Sequence, residues 1–256
     1  MEIPPVEPAP PRATWRAYHQ VTRTATYGFL MALPLLLLYE GLIWLVNQGQ
    51  VMQVRISAEV WMKRVIPALG DTGMHVVAIA VLLIGVGIYL YERKKRIPLR
   101  ARYFSWMIGE SAVYAVVLAF LVSGVVGIIF AATPISLIAG QMAEQGLATR
   151  LALSIGAGLY EELLFRVLVV GGLYALLSSF FSQRTLAYVL AAVVGALLFS
   201  AVHYIGSLAD PFTLSSFVFR FLFGLALNVV FLIRGFGVAA WTHALYDVMI
   251  VTGMLG

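Results

Sequence analysis

The stretch that decides the fold is residues 149–181, TRLALSIGAGLYEELLFRVLVVGGLYALLSSFF, an apolar run longer than one membrane crossing that carries charge in its middle. A membrane-spanning helix needs about 20 mostly apolar residues. Charged side chains are rare inside such helices, because each costs roughly 2.5–3.5 kcal/mol to insert. The run nevertheless contains Glu161, Glu162 and Arg166, so we expect these residues to serve a function.

The composition of the whole chain is typical of a membrane protein. Of its 256 residues, 61% are hydrophobic and only 11% are charged, too few charges to cover the surface of a soluble domain. The absence of cysteine excludes disulfides, thiolate nucleophiles and thiolate metal sites. The net charge of +5 lies largely in short segments between apolar runs, which indicates membrane orientation and not nucleic-acid binding.

Seven apolar runs predict an all-α, polytopic membrane helix bundle built as one transmembrane domain over residues 27–256. Residues 1–26 are rich in proline and lack an apolar stretch, so we expect a disordered cytoplasmic tail. The basic segment 92–102 predicts a cytoplasmic loop and an N-in, C-out topology in a bacterial inner membrane. The predicted spans are 27–46, 73–91, 104–132, 149–181, 186–204, 212–233 and 236–255.

Glu162 and Arg166 lie on one face of the predicted helix, and Glu161 lies on another. Positions four apart share a face, so Glu162 can reach Arg166, and this pair could simply fix helix packing. Glu161 lies about 100° round the helix from Glu162 and is free to face another helix.

Two later spans each carry a histidine one helical turn from a second residue of the pattern, a phenylalanine in one span and an aspartate in the other. His203 follows Phe199 by one turn, and His243 and Asp247 share one face of the last span. His203 alone would fit an interfacial hydrogen-bonding residue. A histidine and an aspartate together inside a span favour acid–base chemistry or ligand binding.

The three motifs together resemble the CAAX-protease and bacteriocin-processing family of intramembrane endopeptidases, also called the Abi family. That family carries Glu-Glu-x-x-x-Arg, Phe-x-x-x-His and His-x-x-x-Asn or Asp on successive membrane helices. The resemblance covers roughly residues 149–251, which would form the catalytic core. It implies a peptide or protein substrate at the membrane, and that Glu161 and His203 activate a water while Glu162 and Arg166 hold the site together.

The resemblance also implies that His243 and the residue at position 247 stabilise the oxyanion. Here position 247 is Asp, which donates a hydrogen bond only when protonated, whereas Asn always can. Two histidines and a carboxylate also match the ligands of a catalytic zinc site. We expect a metal-free glutamate mechanism without a cofactor, and zinc is the alternative.

Two further functions compete with proteolysis. Buried Glu and His also mark ion pathways in proton-coupled transporters, although the chain shows no inverted repeat. A catalytically silent scaffold is the other alternative. The nominal spans place Glu161, His203 and His243 at different depths, so a shared site requires tilt, a kink at Gly171-Gly172 or a late start of the last helix.

Other buried polar residues favour a packing role. Glu40 and Arg220 lie within the first and sixth spans and could pair with each other. The closely spaced small residues of Gly156-Ala157-Gly158 favour tight approach of a neighbouring helix.

Overall fold

A computed structural model describes residues 15–48, 54–64, 73–130, 144–206 and 209–255, and these residues form helices and short connections without any strand. Each predicted span corresponds to a helix, with ends shifted by a few residues. The helices are α1 (Trp15–Thr22), α2 (Ala25–Val46), α3 (Ser57–Arg64), α4 (Gly73–Glu92), α5 (Ala101–Ile129), α6 (Leu147–Gly156), α7 (Gly171–Phe180), α8 (Arg184–Val202), α9 (Leu214–Arg234) and α10 (Phe236–Val251).

The bundle has the length and the surface of a polytopic membrane protein. Five of the described helices are long and apolar enough to cross a membrane, and α10 is a shorter apolar helix. Large apolar side chains lie on the outer surface, among them Ile128, 85% exposed, and Phe120, 69% exposed. Such a surface would be unstable in water, and lipid is its natural solvent.

Helix α10 lies at the centre of the bundle and contacts α2, α5, α6 and α9. Its residues Val238, Ala239 and Ala240 are fully buried. Small side chains let neighbouring backbones approach closely, which is how helices pack when lipid provides no hydrophobic driving force. The last span therefore forms the core against which the other helices are arranged.

Part of the predicted disordered tail is helical. Residues 15–22 form α1, in which Tyr18 and Thr22 are buried, so the prediction of disorder is wrong for this segment, and residues 1–14 lie outside the described part. The Tyr18 hydroxyl donates to Glu110 of α5 at 2.7 Å, and Arg234 of α9 donates to the Thr22 hydroxyl at 3.0 Å. These contacts with α5 and α9 order α1.

The charged span is one continuous helix, Leu147–Phe180, that departs from α-geometry in its middle. Between α6 and α7 it is wound as a π-helix over Ala157–Glu161 and Leu163–Val170. Gly171 keeps helical backbone angles, so the chain does not kink at Gly171-Gly172. We call residues 157–170 the π-segment. Glu161 ends its first π-wound stretch and Glu162 lies between the two stretches, and π-wound turns are often found at functional sites.

The predicted pairing of Glu40 with Arg220 is wrong, because each residue has a nearer partner. Glu40 pairs with Arg55 at 3.5 Å, and Arg220 forms a close ion pair with Asp210. Both partners lie in connections between helices, where sequence periodicity does not show which way a side chain points.

Candidate active site

The innermost part of the site is a cluster of Glu162, Arg166 and His243, all at most 3% exposed. Arg166 lies one turn after Glu162, with 2.9 Å between Nη1 and Oε1, as the spacing predicts. The same Oε1 atom lies 2.7 Å from Nδ1 of His243 on α10 and accepts its proton in a hydrogen bond. Buried charges are tolerated only when they are paired in this way, so the cluster joins the π-segment to α10.

Phe199 packs against Arg166 and His243 of this cluster and against His203. Its ring lies 4.6 Å from the Arg166 guanidinium carbon, in cation–π geometry. It makes edge contacts with the rings of His203 at 5.0 Å and His243 at 5.8 Å. The aromatic residue of the Phe-x-x-x-His motif therefore sets the spacing between the two histidines.

Glu161 and His203 form a second, more accessible pair. The Glu161 Oε2 atom lies 3.8 Å from His203 Nε2, and their side chains are 12% and 24% exposed. Glu161 Oε2 is itself buried and has no hydrogen-bond partner among the described residues. An unsatisfied buried polar atom is rare and calls for an explanation, and a catalytic role is one.

The contacts of His203 fix its tautomer. Nδ1 lies 2.7 Å from the carbonyl oxygen of Phe199. A carbonyl only accepts hydrogen bonds, so Nδ1 carries the proton. In the neutral ring the Nε2 lone pair therefore faces Glu161.

Asp247 completes the site on the accessible side. Its Oδ2 atom lies 3.6 Å from His243 Nε2, one helical turn away, and its side chain is 29% exposed. His243 thus has a buried carboxylate on one ring nitrogen and an accessible carboxylate near the other. The structure brings together all six residues singled out from the sequence.

Close packing of α10 against the π-segment makes this convergence possible. A Cβ atom on Gly158 would lie 2.5 Å from the Ala244 Cβ and 2.6 Å from the Ala240 carbonyl oxygen. Only glycine fits there, and Ala244 is the residue next to His243. The predicted close approach at Gly156-Ala157-Gly158 is confirmed, and the last helix begins at Phe236 as predicted. The residues therefore converge without a kink at Gly171-Gly172 and without a late start of the last helix.

Sequence reasoning missed the residues that surround His203. Arg220, the only charged residue between Leu214 and Arg234, donates to the Tyr204 hydroxyl at 2.9 Å and pairs with Asp210. A single cation within a span was the available signal, but its partners lie in a connection whose course the sequence does not reveal.

A zinc site does not fit these side chains as they are placed. In the part of the chain that the structure describes, no group of three or more His, Asp and Glu residues is arranged to hold a metal ion. A catalytic zinc site requires about three protein ligands around one point. Here His203 faces Glu161, and His243 faces Glu162 and Asp247.

Comparison with known proteins finds a family model that matches the region containing these residues. Residues 143–249 match the family model described as type II CAAX prenyl endopeptidase, Rce1-like. No curated protein and no solved structure matches the chain. The matched region includes all three motifs and agrees with the family predicted from them. Residues 143–249, less than half of the chain, therefore match the Rce1-like CAAX endopeptidase family, the family of membrane proteases to which the three motifs point.

Proposed function

We propose that the protein is an intramembrane endopeptidase that hydrolyses a peptide bond with a water activated between Glu161 and His203. The observation that supports this most strongly is the pair of acceptor atoms, Glu161 Oε2 and His203 Nε2, that face each other 3.8 Å apart. They are too far apart for a direct hydrogen bond, and a bridging water is the ordinary way to satisfy two such groups.

A water at this position would donate one hydrogen to each acceptor. Its lone pairs would then be free to attack a peptide carbonyl carbon. As the new C–O bond forms, Glu161 takes a proton from the water as general base. The same carboxyl group then returns the proton to the leaving amine when the C–N bond breaks, so atoms and charge balance.

The developing oxyanion would be stabilised by His243. Its Nδ1 proton is donated to Glu162, and a proton on Nε2 would point toward the accessible side, where Asp247 lies. Fixed donors of this kind contribute about 2.7–4 kcal/mol where they have been measured. Asp247 lies beside Nε2 and would support the oxyanion directly only in its protonated form.

Glu162 and Arg166 would have a positioning role in this scheme. Arg166 also donates to the Gly224 carbonyl of α9 at 3.3 Å, so the pair ties α9, α10 and the π-segment together. Its burial leaves no room for direct contact with substrate.

We propose a membrane-associated or lipid-anchored peptide as substrate. The family description names prenylated CAAX proteins, and bacteriocin precursors or sorting tags are other membrane peptides that such a site would fit. In the predicted N-in, C-out topology the accessible side of the site, near His203, opens away from the cytoplasm of a bacterial cell.

A cleavage assay in proteoliposomes tests the proposal. The probe is a fluorogenic peptide that ends in a farnesylated CAAX sequence, and products are identified by mass spectrometry. We expect Glu161→Gln to abolish cleavage and Glu92→Gln to retain it, because Glu92 pairs with Lys95 at the end of α4, outside the site. Cleavage by folded E161Q at the wild-type rate would overturn the mechanism.

The same sample addresses the two competing functions. Proton flux without cleavage would favour a transporter, and neither flux nor cleavage would favour a scaffold. Activity that survives prolonged chelation, in protein whose metal content is measured, would support the metal-free reaction.

A further inference from the structure

His203 lies just past the end of α8, so the regular hydrogen bonds of a helix do not continue beyond it to fix its position. Helix α8 ends at Val202, and the chain from residue 203 turns away toward the start of α9. The ends of helices fray because their last carbonyl groups lack intrahelical partners. A side chain that must face Glu161 within a fraction of an ångström therefore needs support from elsewhere.

Arg220 on α9 supplies a set of contacts at this end. It donates to the Tyr204 hydroxyl at 2.9 Å and forms close contacts with Asp210 and with Ser216. The Tyr204 hydroxyl also lies 2.7 Å from the Ser216 hydroxyl. The Arg220 and Asp210 side chains are each only 14% exposed. One guanidinium thus binds three oxygen-bearing side chains in a largely buried position, which its planar fork of donors suits.

Two of these contacts act on the chain next to His203. Tyr204 is the following residue, so fixing its ring fixes the backbone between the two. The Asp210 backbone N–H donates to the His203 carbonyl oxygen at 3.0 Å. Arg220 therefore holds both the residue after His203 and the residue that binds the His203 carbonyl.

We propose that Arg220, through Tyr204 and Asp210, is a positioning residue that holds His203 Nε2 toward Glu161. The inference rests on the proposed hydrolytic function, and it assigns a catalytic consequence to an ion pair outside the three motifs. Arg220 does not touch the reacting atoms. Its cationic charge is nevertheless close enough to interact electrostatically with both His203 and Asp247.

The same helix contains a matched control. Arg234 also forms a buried ion pair, with Glu110, and also contacts a tyrosine ring, that of Tyr18. It lies fourteen residues after Arg220, about 21 Å along the helix at ~1.5 Å per residue. Its side-chain hydrogen bonds go to Glu110 and Thr22, and none goes to a motif residue. Removing it removes a comparable pair without disturbing His203.

Hydrogen exchange of the full-length protein in detergent tests the structural step without any substrate. In Arg220→Met we expect peptides covering residues 199–213 to exchange faster than in wild type, and those of α10 to be unchanged. In Arg234→Met, exchange at 199–213 should stay at the wild-type rate. Unchanged exchange at 199–213 in R220M would overturn the proposal.

Kinetics with the farnesylated peptide test the catalytic step. We expect R220M to lower kcat by ~10- to 100-fold with KM within about twofold, because a misplacement of about 1 Å can cost 10²-fold in rate. Tyr204→Phe, which removes one hydroxyl and preserves the fold, should show a smaller loss of the same kind. Arg220→Lys keeps the charge and should recover part of kcat. R234M should retain wild-type kcat.

The outcomes separate this inference from the proposed function. Wild-type cleavage that depends on Glu161, together with full kcat in folded R220M and Y204F, would overturn the role of Arg220 alone. An equal loss of kcat in R234M would show that Arg220 contributes only to general stability, which would also overturn its positioning role. If wild type does not cleave the peptide, the proposed function fails on that substrate, and the exchange data still decide whether Arg220 holds the segment.

Discussion

Replacing Gly158 by alanine should push α10 away from the π-segment, and the contacts around Gly158 give the size of the displacement. A Cβ atom at this position would lie 2.5 Å from the Ala244 Cβ and 2.6 Å from two backbone atoms of α10. Carbon atoms in contact lie about 3.5–4.0 Å apart, so α10 must move by roughly 1 Å. Two of the obstructing atoms belong to the backbone, and no rotamer change relieves the clash.

This displacement has a cost in both stability and rate. Overpacking of a close-packed interior costs about 1–3 kcal/mol. His243 lies next to Ala244 and would move with it, away from the Glu162 oxygen that now lies 2.7 Å from Nδ1. A shift of about 1 Å in a catalytic group can lower the rate by 10²-fold. We therefore expect G158A to be folded, less stable and about 100-fold less active.

Thermal unfolding in detergent and cleavage of the farnesylated peptide measure the two effects. The control is Gly172→Ala in the same helix, where an added Cβ meets no atom within 4 Å. Alanine there should leave activity unchanged and raise stability by up to about 1 kcal/mol, since glycine is a poor helix former. If G158A matches G172A in both measurements, α10 is not packed against the π-segment as described and our account of the site is wrong.

Four further predictions follow from individual contacts. Glu162→Gln leaves Arg166 and His243 without their shared carboxylate, so the free energy of unfolding should fall by about 3–5 kcal/mol in denaturant titrations; no loss would contradict the buried pairing. Burial raises the pKa of Glu92, but hydrogen bonds from Thr26 and the nearby Lys95 ammonium outweigh it and hold this pKa below the usual 4.5. The stability that Glu92 contributes is therefore complete above pH 4.5 and is lost as the pH falls from there through the lower pKa of the folded state. The difference in Tm between wild type and Glu92→Gln should shrink on acidification, whereas a constant difference would refute the linkage. Since the chain has no cysteine, single-cysteine variants test topology: Ile205→Cys should react with an impermeant reagent from outside the cell and Lys94→Cys only from the cytoplasm, and the reverse pattern would invert the membrane orientation. Chelators should leave the cleavage rate unchanged, and recovery of a lost rate by added zinc would establish the metal-dependent alternative.

The helices could be predicted from sequence because their signal is local. Each apolar run is long enough to identify a span on its own, and the observed ends differ from the predicted ones by a few residues. The same local reasoning identified the Glu162–Arg166 pair, whose members are four residues apart on one helix. The prediction failed for residues 15–22, because the helix there is ordered by Glu110 and Arg234 far along the chain.

The arrangement of the site depends on contacts between helices, which the sequence does not specify. Residue types and spacing singled out Glu161, His203 and His243, but nominal depths placed them apart. In the structure they converge where the π-wound stretch Ala157–Glu161 packs closely against α10 at Gly158. The small residues at 156–158 predicted a close approach but not which helix makes it, and the π-winding leaves no signal in the periodicity of the sequence.

The support around His203 was hidden for a related reason. The sequence shows Arg220 as a cation within a span and offers Glu40, a carboxylate in another span, as its partner. Asp210, only ten residues earlier, is nearer because it lies just before the start of α9, within reach of Arg220 in the second turn of that helix. Connections between helices follow no repeating pattern, so their charged residues are hard to assign to partners from sequence.

The most direct test of the central claim is an experimental structure of the protein in a lipid nanodisc at a resolution that shows ordered water. We predict that Glu161 Oε2 and His203 Nε2 lie about 4 Å apart with one water oxygen within hydrogen-bonding distance of both. A structure in which either side chain faces lipid, or in which no water can reach both atoms, would contradict hydrolysis at this site.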